Sequence, residues 1–275
     1  METNNNQQFE QFSRCKAIVC DLDGTLYLDN IPFAASFPFL EKIIRSGRKL
    51  FYFTNNSSRS RATYLQKLAK IGFPVKDDYM ITSTDCAESY LRRHSLCPDI
   101  YLVGNSDLKH DFEARNFHCL SEEEALQGAP AAVVLGFDTE LTYKKIQTCY
   151  DLILRGIPYI ATHADLLCPV TKDTFKPDVG SFISMFDTAT GGKRPVVVGK
   201  PHKEAVEAIS EKAGCPPHEI AFIGDRLYTD IRMAQNFDMT GVLVLSGETS
   251  REMLAQSPDR PKIVVESVAD LIAWL

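Results

Sequence analysis

Two carboxylates stand one residue apart in Asp21-Leu22-Asp23-Gly24-Thr25, directly after the apolar run Ala17-Ile18-Val19-Cys20. An extended backbone sends alternate side chains to one face, so Asp21 and Asp23 are expected to aim the same way. Gly24 then lets the chain turn sharply. Two close carboxylates repel, so either one keeps its proton or a cation joins them. Both outcomes serve the hydrolysis of a phosphate ester. A metal-bound carboxylate can attack phosphorus, and a neighbouring carboxyl group can give a proton to the leaving alcohol. A calcium-type loop or a solvated turn accounts for D-x-D-G equally well when the motif is taken alone.

Three further segments carry compatible chemistry. Phe53-Thr54-Asn55-Asn56 closes the apolar run that begins at Lys49. Thr54 offers a hydroxyl, and the amides of Asn55 and Asn56 are expected to open a helix, where an anion is readily held. Capping by Asn56 or Ser57 is the plainer reading of the same residues. Gly199-Lys200-Pro201 follows Pro195-Val196-Val197-Val198, and Lys200 can pair there with a phosphate or with a nucleophilic carboxylate. Gly224-Asp225-Arg226-Leu227-Tyr228-Thr229-Asp230 follows Glu219-Ile220-Ala221-Phe222-Ile223. Asp225 suits magnesium, which favours carboxylate oxygen and retained water. Asp230 either caps the next helix or orients a metal-bound water, and the sequence leaves both open.

The elements that must position these residues are legible around them. Strands are predicted at 16–20, 49–54, 79–83, 219–224, 240–246 and 262–266 from runs rich in Val, Ile and Phe. Helices are predicted from about Ser58 to Lys70, stopped by Gly72, and from Lys203 to Ala213, stopped by Gly214. This alternation describes an α/β protein with a parallel sheet covered on both faces. Each candidate residue then falls at a strand's carboxyl end, where open α/β sheets bind ligands. Residues 85–177 repeat the alternation, with strands in Ile100–Gly104, Ala131–Phe137 and Pro158–Thr162 and a helix over Tyr143–Leu154. They are read as an α/β domain inserted into a core formed by 1–84 and 178–275.

Whole-chain properties narrow the function classes. Among 275 residues, 30 are Lys or Arg and 36 are Asp or Glu, giving a net charge of −6. No general basic surface is available for nucleic acid. The eight cysteines form no C-x-x-C pair, so buried reduced thiols in a cytoplasmic protein are expected rather than disulfides or a zinc site. The polar N-terminus lacks an apolar signal region, its first dozen residues are expected to fray, and no apolar run reaches membrane-spanning length.

Taken in order, DLDGT, FTNN, GKP and GDRLYTD resemble the four motifs of the haloacid dehalogenase superfamily. The long insert, together with VVLGFD (133–138), IATHADLLCP (160–169), PDVGSF (177–182) and LVLSGETS (243–250), resembles its subclass IIA, the group of NagD-like, p-nitrophenylphosphatase and phosphoglycolate phosphatase proteins. The resemblance runs over nearly everything after residue 14. It implies a Rossmann-like core with a mobile inserted cap, and a magnesium-dependent phosphatase of small phosphomonoesters. Asp21 would become an aspartyl-phosphate, and Asp23 would serve as general acid and base while its carbonyl binds the metal. Thr54 and the Asn55 amide, with Asn56 beside them, would hold the phosphoryl oxygens, and Lys200 would neutralise charge. Asp225 would complete the magnesium site with Asp230 next to it. The resemblance also implies pairing of two copies through the cap.

Two departures from the family pattern bear on the substrate. Phe33 stands where relatives usually have glycine, and His163 stands where many have asparagine. Asp138 and His163 both follow apolar runs of the insert and are expected to project from one edge as contacts to the leaving group; a helix cap and a solvated turn are the plainer alternatives. A phosphomutase of the same superfamily shares the machinery. A dehalogenase would not need Asp23 and Asp225 together. A phosphate-binding or signalling module would be shorter and lack the insert.

Overall fold

The computed structural model describes residues 9–28, 31–171 and 174–275. They form two compact units, one of Met1–Thr54, Tyr64–Ile81 and Val206–Leu275, the other of Asn55–Thr63 and Thr82–Ala205.

The first unit is built on a six-stranded sheet in the order 263–265, 240–244, 220–224, 17–21, 49–54, 80–82. Ala17–Asp21 pairs in parallel with Ile220–Gly224 on one side and with Lys49–Thr54 on the other. All six predicted strands are present: Lys49–Thr54 keeps its predicted bounds, Ala17–Asp21 is displaced by one residue, and the other four are shorter by one to two residues. Ala17, Ile18, Val19 and Cys20 are fully buried, as are Ile220, Ala221, Phe222 and Ile223. Burial on both faces explains why these strands read as continuous apolar runs rather than as alternating ones. Each Val, Ile or Phe side chain among them contributes about 1.5–3 kcal/mol by leaving water. Helix Ser36–Arg45 packs Phe39, Leu40 and Ile43 into the same core as Tyr64 and Leu68.

Helix ends follow local chemistry. Gly72 and Gly214, predicted as stops, adopt φ +93° and +63°, a region that favours glycine. The helix expected from about Ser58 starts instead at Arg61, because the Ser60 hydroxyl accepts the Thr63 amide and sets the first turn there. The fraying expected of the first dozen residues does not hold for residues 9–12. Residues 1–8 lie outside the described part, but 9–14 are helical, Phe12 is buried and Phe9 stacks on Trp274 at 4.7 Å.

The second unit holds a five-stranded sheet in the order 196–197, 159–161, 132–135, 99–103, 118–119. Helix Tyr143–Leu154 spans the predicted residues and is capped by the Thr142 hydroxyl. This unit extends on both sides of 85–177. Helix Ser83–Arg93 begins with a capping box between Thr82 and Asp85. Helix Val179–Thr190 buries Val179 and Phe186 in the unit's core, and Val196–Val197 extends the sheet beside Tyr159–Ala161. A two-residue element such as the last is too short to show a period. A hairpin of Leu167–Thr171 and Thr174–Pro177 completes the unit.

Candidate active site

In the first unit, Asp21 ends the central strand and Asp225 follows the neighbouring strand Ile220–Gly224. Asp230 lies one turn further on, within residues 227–231. One carboxylate oxygen from each of Asp21, Asp225 and Asp230 lies within 4.8 Å of the others. The side chain of Asp23 is outside this group. It is exposed and accepts a bond from the Tyr27 hydroxyl at 3.3 Å. Strand geometry ends at Asp21, and a turn from Leu22 onward separates the two carboxylates that an extended chain would have aligned. Asp21 is half-buried, and Asp23 is exposed.

Three glycines make room for this cluster. A methyl group on Gly24 or on Gly247 would overlap the Asp225 carboxylate, and one on Gly224 would overlap that of Asp230. Gly24 also turns at φ +81°. The loop after strand Thr240–Val244 fixes Asp225 from outside: the Glu248 amide donates to its Oδ2 at 2.7 Å, and the Thr249 hydroxyl donates to its carbonyl at 2.5 Å. Ser246 donates to the Gly24 carbonyl at 2.8 Å. These loop residues belong to LVLSGETS, whose role the sequence did not disclose; a glycine just after a strand end was the available signal. Asp230 accepts the Arg226 amide at 3.1 Å, so it caps its own turn while also facing the cluster.

The electrostatics of the cluster call for a cation. Asp225 is 2% exposed, and its Oδ1 has no hydrogen-bond partner among the described residues. Burial, and then the charge of Asp230, push its carboxyl up from 3.8 to about 7, against the opposing pull of the Glu248 amide and Arg226. Burial also works against the Arg226 charge, but Tyr228, Asp21, Glu248 and Asp225 outweigh it and hold the guanidinium protonated. Arg226 pairs with Glu248 at 2.9 Å. Three hard oxygen donors, one of them buried and unpartnered, fit a small divalent cation such as magnesium.

The second unit carries the other predicted residues. The Asn55 side chain grips the Lys200 peptide from both sides, accepting its N–H at 2.9 Å and donating to its carbonyl at 3.1 Å. Its amide also donates to Asp165 at 3.2 Å. Sequence reasoning gave Asn55 a role through its backbone and missed this clamp. Lys200 is 3% exposed. Asn56 accepts the Ser58 amide at 2.9 Å and the Ser58 hydroxyl at 2.7 Å, a turn rather than a helix cap. With the helix starting at Arg61, the amides of Asn55 and Asn56 do not form its first turn, which corrects the expected helix-terminus anion site. Thr54, the last residue of its strand in the first unit, is 6% exposed.

Asp138 and His163 do not project as expected. Asp138 is 3% exposed, accepts Lys145 Nζ at 2.8 Å and accepts the Glu140 amide at 2.8 Å. His163 is fully buried between the Thr162 hydroxyl and Asp178, each at 3.0 Å. Both sit just past buried strands of the unit.

A central parallel strand ending in aspartate, with a second acidic pair after the adjacent strand, gives this Rossmann-like sheet an acidic cluster at its carboxyl edge. The comparisons with known proteins carry this further. A model described as haloacid dehalogenase-like hydrolase matches residues 18–118, and one described as HAD-hydrolase-like matches 197–271. The 4-nitrophenylphosphatase of Thermotoga maritima is 38% identical and superimposes with a TM-score of 0.88, over 96% of this chain and 98% of its own. The glycerol-3-phosphate phosphatase of Gallus gallus is 29% identical over 286 residues, 94% of this chain and 91% of its own. Human chronophin is 29% identical over 278 residues, 95% of this chain and 94% of its own. The chain belongs to the haloacid dehalogenase-like hydrolases, within the NagD and p-nitrophenylphosphatase group of subclass IIA, and is a phosphoric monoester hydrolase.

Proposed function

We propose that the chain hydrolyses small phosphomonoesters through a phosphoryl group carried on Asp21, with magnesium held by Asp21, Asp225, Asp230 and the Asp23 carbonyl. The observation that carries this reading is the convergence of three aspartates at the sheet's carboxyl edge, with Asp225 Oδ1 buried and without a hydrogen-bond partner among the described residues. Phosphatases of this family generally use magnesium, whose charge offsets repulsion between a phosphate and a carboxylate. A carboxylate oxygen of Asp21 attacks phosphorus as the ester P–O bond breaks, and the departing alkoxide takes the proton of Asp23. Asp23, now a carboxylate, removes a proton from water, and the resulting hydroxide displaces Asp21 to release inorganic phosphate. The exposure of Asp23 suits this exchange with substrate and water. Thr54, Asn55 and Asn56 supply donors to the phosphoryl oxygens, and Lys200 supplies positive charge, as their motifs imply.

The second unit has a further task in the same proposal: besides carrying Asn55, Asn56 and Lys200, it selects the leaving group. The names of similar proteins range over glycerol phosphate, nucleotide and acid sugar phosphatases, so a polyol, sugar or nucleoside monophosphate is the substrate class. We also propose a cytoplasmic location, supported by eight cysteines that form no disulfide among the described residues, and pairing of two copies through the second unit. An apolar groove lined by Tyr143, Ile146, Tyr150, Met185 and Phe186 supports the pairing. No helix among the described residues is long and apolar enough to cross a membrane. The test is p-nitrophenyl phosphate turnover in chelator and across a magnesium titration, followed by a panel of sugar, glycerol and nucleoside phosphates. Turnover restored by magnesium supports the reading; turnover unaffected by chelation overturns the metal assignment.

A further inference from the structure

His163 sits inside a chain of hydrogen bonds whose direction the chemistry fixes. At one end the Phe137 amide, which can only donate, reaches the Ser57 hydroxyl at 2.9 Å. Ser57 Oγ lies 3.1 Å from Thr162 Oγ1, and Thr162 Oγ1 lies 3.0 Å from His163 Nδ1. At the other end His163 Nε2 lies 3.0 Å from Asp178 Oδ1, which also accepts the Val179 amide at 2.7 Å. A carboxylate can only accept, so Nε2 carries the ring proton. Nδ1 is then an acceptor for Thr162, and Thr162 in turn is the acceptor for Ser57. The reverse orientation would leave the Ser57 proton with no acceptor among the described residues. Ser57, Thr162 and His163 are all fully buried, and an unmet buried hydroxyl costs about 1–3 kcal/mol. One arrangement therefore satisfies every group.

This chain ends on the loop that carries the phosphate-binding residues. Ser57 lies two positions after Asn55, whose side chain holds both polar groups of the Lys200 peptide. The Ser83 hydroxyl donates to the Asn55 carbonyl at 2.5 Å and fixes it from a third direction. Gly199 packs so closely that a methyl group there would lie 2.5 Å from the Thr162 carbonyl, 2.8 Å from Asn55 Oδ1 and 3.0 Å from His163 Cβ. Thr162 and His163 thus form the floor on which Asn55 and Gly199–Lys200 rest. A floor that loses its directional bonds lets the loop and the lysine shift together.

We infer that His163 is a positioning residue for the reaction, holding Ser57 through Thr162 and thereby the Asn55 and Lys200 loops, without touching the substrate. This rests on the phosphatase reading above. The neutral Nε2–H tautomer is required. Asparagine at 163 keeps an acceptor close to the position of Nδ1, so it preserves the Thr162 and Ser57 half of the chain; phenylalanine keeps the ring and removes both bonds.

The experiment measures kcat and KM for p-nitrophenyl phosphate, with inhibition by inorganic phosphate, in His163→Phe, His163→Asn, Ser57→Ala and the Ser57→Ala/His163→Phe double variant. Thermal unfolding accompanies each. The expected result is a kcat loss of about ten- to hundredfold in His163→Phe, the scale of a small misplacement of catalytic groups. Phosphate inhibition should weaken with it, His163→Asn should stay within about threefold of wild type, and the double variant should be no worse than the poorer single one. Ser57 and His163 communicate through Thr162, so losses that multiply would overturn the proposal, as would wild-type kcat in His163→Phe. Should that variant not fold, nitrogen chemical shifts of the His163 ring in the wild type, together with the asparagine variant, decide: a charged ring or an Nδ1–H tautomer at neutral pH refutes the chain. An inactive wild type would instead refute the phosphatase reading.

Discussion

Replacing Asp225 by asparagine should stabilise the metal-free protein at alkaline pH while destroying its response to magnesium. The carboxyl is 2% exposed and is pushed from 3.8 to about 7, first by burial and then by the charge of Asp230. The folded chain therefore holds this proton more tightly than the unfolded chain does. Below pH 3.8 both states are protonated and the group contributes nothing. As pH rises from 3.8 to about 7 the unfolded state ionises first and stability falls, and above 7 the loss is complete. The rise from 3.8 to about 7 corresponds to about 4 kcal/mol. Asparagine has the same shape and can still accept the Glu248 amide, but it does not ionise. In chelator, the variant should gain on wild type by about 4 kcal/mol between pH 4 and pH 8. Magnesium at about a hundred times its dissociation constant should return about 2.7 kcal/mol to wild type and little to the variant. Urea unfolding at each pH, with and without magnesium, measures both effects. Parallel wild-type and variant curves from pH 4 to pH 8 in chelator would refute the reasoning about Asp225.

Asp21→Asn keeps the shape of the central strand end and removes the attacking carboxylate, so turnover should fall at least about a thousandfold while the fold and phosphate binding persist. Near-wild-type rates in the purified variant would remove Asp21 from the mechanism. Gly247→Ala presses a methyl group against the Asp225 carboxylate; it should cost about 1–3 kcal/mol of stability and raise the magnesium concentration for half-maximal rate, as read from a metal titration of activity. Asn55→Ala removes the two bonds that its side chain makes to the Lys200 backbone, which should cost about 1–3 kcal/mol and lower kcat/KM; unchanged kinetics would show that Lys200 does not depend on this clamp.

The α/β class and the six strands of the first unit were readable in the sequence because doubly buried strands need unbroken apolar runs. Three of the four motifs were readable because each follows such a run, and a strand's end is where a side chain first reaches the ligand edge; Gly199–Pro201 instead follows a two-residue strand whose Val196 is exposed. Helix stops at Gly72 and Gly214 were readable because only a few residues adopt positive φ cheaply. The sequence alone also determined which carboxylates were available, but not which of them meet. That Asp225 and Asp230 join Asp21 while Asp23 stands apart depends on strands separated by some two hundred residues lying side by side, and on a turn at Leu22 that interrupts the alternation. The burial of Asp138 and His163 was likewise hidden, since the direction in which a chain leaves a strand is set by what it packs against next. The end of the second unit near residue 205 rather than 177 rests on a two-residue strand and on a helix whose partner is the unit's core. Such elements are chosen by contacts from distant segments, and no local run of residues records them.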